Sequence, residues 1–139
     1  MLCAQKNRGQ SLPESEGGIM GLRNRQSEFA KEFAEFVVWL YEQGYEVTFG
    51  EAQRTEEMAE IYLKQGKSKA GKDSLHCKKL AFDIFIFKDG KLIEDKNELS
   101  GIGIKWESMS ELNSWGGFFK GFYDYPHFSK GIDKPERVR

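Results

Sequence analysis

The 139-residue chain is short of several things, and each shortage narrows what it can be. Its two cysteines, Cys3 and Cys77, cannot make a disulfide framework, and neither lies in a Cys-x-x-Cys pair. A reducing compartment is the expectation. The longest uncharged apolar runs, Phe36–Tyr41 and Ile84–Phe87, fall far below the roughly 20 residues a membrane span needs. Residues 1–20 contain no apolar stretch of the kind a secretory signal carries. Neither sign of charge is in surplus: 21 Lys and Arg stand against 22 Asp and Glu, for a net charge of -1. A protein that lives on phosphate backbones or anionic membrane surfaces would show a clustered basic excess. Neither nucleic acid nor membrane is expected as a partner. Histidine is scarcest among the chemically useful residues, with only His76 and His127.

What the chain has is a globular composition, with 39% hydrophobic and 31% charged residues and 11 phenylalanines. That is too apolar and aromatic for a disordered chain. Residues 1–19 read as a polar, flexible tail, with Met20 a candidate native start. The domain is placed over 20–130, and 131–139 read as a second tail, with Lys130 itself solvated. Phe29, Phe33, Phe36, Val37 and Leu40 recur at helical spacing and predict an amphipathic helix over about 25–43, closed at Gly44. Tyr45, Val47 and Phe49 alternate as a strand. A second helix is expected over about 55–65, capped by Thr55 and buried through Met58, Ile61 and Tyr62. Residues 67–74 read as a polar loop. Leu80–Phe87 is apolar on both faces, as a central strand is. Asp89-Gly90 then predicts a hairpin returning through Lys91–Ile93. Leu99, Ile102, Trp106 and Met109 share a helical spacing, interrupted by Gly101 and Gly103. The glycine-rich stretch 115–128 ends in a strand. Helices mixed with antiparallel strands make this a small single α+β domain, an antiparallel sheet flanked by helices.

Each histidine has an aspartate nearby in sequence: His76 precedes Asp83 by seven residues, and His127 follows Asp124 by three. Asp83 is the more informative, because it interrupts an apolar strand and shares a face with Ala81, Phe85 and Phe87. A carboxylate in such a place is costly unless paired or bound to a metal. Two imidazoles and one carboxylate form a catalytic zinc set with one position left open, and Asp124 is placed to serve as the general base. On these residues alone, ordinary His–Asp pairs remain an equal alternative. Likewise Arg54 could pair with Glu51, Glu56 or Glu57, Trp115 could be a core aromatic, and Gly116-Gly117 a tight turn.

Three blocks, Ser74-x-His76-x6-Asp83, Trp115-Gly116-Gly117 and Asp124-x-Pro126-His127-Phe128, resemble the zinc D-alanyl-D-alanine carboxypeptidase family. That family includes phage endolysins acting as L-alanyl-D-glutamate endopeptidases. Upstream, Gln53-Arg54-Thr55 and Tyr62–Gly66 look like the family's arginine-bearing turn and following helix. The resemblance spans roughly residues 25–129. It implies a hedgehog/D,D-peptidase-like fold, one Zn2+ held by His76, Asp83 and His127, and Asp124 as the catalytic base. It also implies that Arg54 steadies the oxyanion, with Ser74 and Trp115 at the substrate. Lys79 stands where the family has glycine, and Met58 near where it has glutamine.

The function so implied is hydrolysis of the peptide stem of bacterial peptidoglycan by a monomer. The enzyme would be held in the cytoplasm until lysis, as in a phage or prophage endolysin. Two readings compete with it. One is a D-alanyl-D-alanine carboxypeptidase or dipeptidase, using Lys78, Lys79 or Lys120 to hold the terminal carboxylate. The other is a zinc-stabilised binding module without turnover. Cys77 adjoins a ligand but has no partner cysteine, and stays outside the metal shell.

Overall fold

The computed structural model describes residues 21–67, 71 and 74–131. The two tails lie outside the described residues, apart from Gly131. Helix α1 (Leu22–Glu42) buries Phe29, Phe33, Phe36 and Leu40, the face anticipated from their spacing. Gly44, at φ 92°, reverses the chain into β1 (Glu46–Phe49). Helix α2 (Glu56–Lys64) is capped by the Thr55 hydroxyl, which accepts from the Met58 N–H at 3.1 Å, and Glu56 and Glu57 lie in its first turn. A 3-10 turn (Leu75–Lys78) leads into β2 (Ala81–Lys88). Asp89 and Gly90, both at positive φ, turn it back as β3 (Lys91–Leu92). Helix α3 (Lys96–Ser108), β4 (Asn113–Trp115), a second 3-10 turn (Gly116–Phe118) and β5 (His127–Lys130) complete the domain.

The five strands form an antiparallel sheet in the order β1-β2-β5-β4, with β3 on the far end of β2. The expected α+β domain with an antiparallel sheet and flanking helices is what forms. Strand β2 is the axis. Its side chains alternate between two faces, as the pleat requires. Phe82, Ile84 and Ile86 join the core, where Phe82 stacks on Phe33 at 4.9 Å between ring centroids. Asp83 and Phe85 point the other way. The register does the rest: Phe82 pairs with Phe128 on the core side, and Asp83 pairs with His127 on the opposite side. One strand pair therefore makes both the core and the site.

Three local expectations change. In α2, Met58 and Ile61 are exposed and Ala59 is the buried residue, because this short helix meets the domain along a narrow line. Lys130 is buried, not solvated: β5 carries it beneath α1, where Glu32 neutralises it. The glycines of α3 do not break it, and Gly103 has a packing reason to be there. A Cβ at Gly103 would lie 2.4 Å from the Trp115 ring.

Candidate metal centre

The first ligand candidate arrives on the 3-10 turn. The Ser74 hydroxyl accepts from the His76 N–H at 3.1 Å, which starts the turn and fixes the direction of the His76 side chain. Lys79 ends it at φ 60°, a left-handed conformation that glycine adopts more cheaply by roughly 1 kcal/mol. His76 Nδ1 lies 3.1 Å from the Ala52 carbonyl oxygen. Donation there makes Nδ1 the protonated nitrogen and leaves the Nε2 lone pair for the site. Asp83 and His127 come from the paired strands. The His76 Nε2 is 3.2 Å and the His127 Nδ1 3.8 Å from the same oxygen, Asp83 Oδ1. The two imidazole rings are 5.1 Å apart and near perpendicular.

Those three residues, with His127 distant in sequence from the other two, offer ligand atoms all within 4.8 Å of one another. Asp83 Oδ1 is buried and has no hydrogen-bond partner among the described residues. An anionic oxygen is not left like that in a self-sufficient polar cluster. With two imidazole nitrogens converging on it, the donor set fits a divalent cation such as zinc.

Asp124 lies beside this group, its Oδ2 3.9 Å from His127 Nδ1. Burial, reinforced by the charge of Asp83, raises its pKa to about 6, so its carboxyl is poised near neutrality. His127 is pushed the other way: burial, then the charge of His76, holds its pKa down to about 3 and keeps the ring neutral. For His76, burial opposes protonation, but the negative Asp83 carboxylate 3.2 Å away favours the charged ring and raises the pKa.

Arg54 reaches the centre from the segment after β1. Its Nε donates to Glu51 Oε1 at 2.8 Å and its Nη1 to Ser74 Oγ at 3.4 Å. Its guanidinium lies 5.0 Å from the centre of the Tyr62 ring. The pairing with Glu51 raised from sequence exists, yet the arginine is not a surface residue: its side chain is only 9% exposed. Ser74, buried, spends its hydroxyl on His76 and Arg54. Trp115 is fully buried in the core, so it does not present a face to a substrate. Its Nε1 instead donates to the Tyr125 carbonyl at 2.8 Å, supporting the loop that carries Asp124. Gly116 serves the same loop. Its carbonyl accepts from the Asp124 N–H at 2.9 Å, and a Cβ there would lie 2.0 Å from the Asp124 carbonyl oxygen.

Sequence reasoning missed the part played by residues 50–54. The Gly50 N–H donates to the Asp83 carbonyl at 2.7 Å, the Asp83 N–H to the Glu51 carbonyl at 2.8 Å, and the Arg54 N–H to the His76 carbonyl at 3.2 Å. With the Ala52 carbonyl on His76, one five-residue segment grips the elements that carry His76 and Asp83. Backbone groups carry no signature in a sequence, so nothing along the chain announces this.

No family model and no curated protein matches the chain. Among solved structures, the chain resembles the Serratia marcescens L-Ala D-Glu endopeptidase ChiX, with a TM-score of 0.52 and 20% identity over 63% of this chain and 68% of that one. At that identity the likeness is one of fold, and the chain shares the fold of a small α+β peptidase.

Proposed function

We propose that the protein is a zinc peptidase that cleaves the stem peptide of bacterial peptidoglycan, at the L-alanyl-D-glutamate bond, in the service of phage or prophage lysis. The observation that carries this reading is the convergence of His76, Asp83 and His127 around a buried, unpartnered carboxylate oxygen, with the acid–base candidate Asp124 alongside. The fold shared with an L-Ala D-Glu endopeptidase supports it, as do the three motif blocks.

In this reading His76, Asp83 and His127 hold the ion, whose contribution when bound is Lewis acidity toward a carbonyl and toward water. Asp124, ionised at neutral pH, accepts the proton of the attacking water and returns it to the leaving amine. Arg54, a permanent cation held beside the ligands, stabilises the negative charge that grows on the carbonyl oxygen. Neutral His127 and the tautomer set on His76 by Ala52 keep both ring nitrogens available as donors to the ion. The small domain suits action as a monomer on a polymeric substrate. No helix among the described residues is long and apolar enough to cross a membrane.

The test is mass spectrometry of purified peptidoglycan after incubation with the zinc-loaded protein. Stem peptides released at the L-alanyl-D-glutamate bond are expected. Free D-alanine would move the reading to a carboxypeptidase. Intact stems across several wall chemotypes, with zinc bound, would overturn it in favour of a binding module.

A further inference from the structure

We infer that Glu51 is the positioning residue that orients Arg54 toward the metal centre. The inference rests on the peptidase reading above and adds a residue to it. The Arg54 side chain leaves the backbone at the end of β1's extension and has several rotatable bonds, so burial alone does not settle where its planar fork points. Glu51 does: one oxygen, Oε1, accepts from both Nε and Nη2. That contact occupies one edge of the guanidinium. Nη1 is left on the other edge, where among the described residues its hydrogen bond is a long one to Ser74 Oγ, the residue that starts the His76 turn. The Tyr62 ring against the guanidinium limits its remaining tilt. The edge not held by Glu51 is thus the one available to a substrate oxygen.

Glu51 is suited to this by its own backbone. Its carbonyl accepts from the Asp83 N–H, so the residue that aims the arginine is pinned to the strand that supplies the central carboxylate. Ligand and cation are thereby held in one frame, as a preorganised site requires. The side chain of Glu51 is not needed for that backbone bond, which allows the two functions to be separated by mutation.

Three variants are compared with wild type: Glu51→Ala, Glu51→Gln and Arg54→Lys. The first readout needs no activity. The Arg54 Nε–H resonance, assigned by its loss in Arg54→Lys, is followed by 15N NMR for exchange with water. In Glu51→Ala its protection should fall at least about tenfold, and Glu51→Gln, whose amide oxygen can still accept, should restore part of it. Zinc content and zinc affinity should stay within about twofold of wild type, because the Asp83 clamp is a main-chain bond. The second readout is hydrolysis of stem peptide. Removing an oxyanion donor outright costs about 100- to 1000-fold, so misaiming it should lower kcat about 10- to 100-fold with little change in KM, and Glu51→Gln should lie between. Unchanged Nε–H exchange in Glu51→Ala would overturn the inference, as would a loss of zinc affinity equal to the loss of activity, which would mark a merely structural role. If wild type itself cleaves no stem peptide, the peptidase reading fails while the exchange measurement still decides the Glu51–Arg54 contact.

Discussion

Two buried polar clusters among the described residues are built on opposite principles. One surrounds Lys130, whose ammonium is almost fully buried between α1 and the end of β5. It donates to Glu32 Oε1 and Oε2 at 3.1 and 3.2 Å and to Ser110 Oγ at 3.1 Å, with Glu28 at 3.8 Å. All three of its protons have an acceptor, and the cation is covalently part of the chain. The other cluster gathers His76, Asp83 and His127, and one of its carboxylate oxygens has no hydrogen-bond partner among the described residues. The first is complete and holds helix to sheet. The second is a convergent set of donors that could hold a metal ion. Burying charge is tolerable in both; in the second, on the reading proposed above, a bound cation would supply the compensation.

Mutation should break this parallel most sharply at Asp83. Asp83→Asn is expected to abolish the zinc-induced rise in Tm and to lower stem-peptide hydrolysis by about 1000-fold or more, since a ligand is lost. The metal-free variant should melt at or above the metal-free wild type, because an uncompensated buried charge has been removed. Calorimetry with and without zinc tests both halves. Next in size is Asp124→Asn, expected to cost about 100- to 10,000-fold in kcat while zinc affinity stays near wild type, as measured by competition with a chelating dye.

At the complete cluster the expectation reverses. Lys130→Met should destabilise the fold by about 3–5 kcal/mol in urea titration, by stranding Glu32, yet leave zinc affinity per folded molecule unaltered. Adding Glu32→Leu should recover most of that loss. A mildly destabilised Lys130→Met protein with weakened zinc binding would erase the distinction between the clusters.

The smallest effect is in pH. Because the Asp124 pKa is raised to about 6, the carboxyl keeps its proton up to a higher pH than usual, and the base form dominates only above that value. Hydrolysis should therefore fall about tenfold per unit as pH drops below the midpoint. A cation bound nearby favours the carboxylate, so the zinc enzyme's midpoint should lie lower than 6. A kcat/KM profile flat from pH 7 to 4 would remove Asp124 from the role of base.

Much of this was legible in the order of residues. The apolar spacing that makes α1, the Thr55 cap and the Asp89-Gly90 turn are local matters, governed by periodicity, a single hydroxyl or a positive φ. The candidate ligands were legible too, because an aspartate inside an apolar strand is anomalous wherever the strand ends up. Strand β4 was not: Asn113–Trp115 is three residues long and becomes a strand only by pairing with β5. Nor was the role of Trp115, since a tryptophan beside two glycines reads alike as a platform or a core residue. Its burial against Gly103 and its bond to Tyr125 decide the matter.

The sequence by itself determined the small α+β character, the hairpin, the main helix and the identity of the candidate metal-binding side chains. These follow from patterns a few residues long. Tertiary structure alone decided that Asp83 and His127 face each other across β2 and β5, that residues 50–54 clamp the elements of His76 and Asp83, and that Lys130 turns inward to meet Glu32. Each of those joins segments more than 20 residues apart, and register, backbone hydrogen bonds and charge pairing across such separations exist only once the sheet has closed.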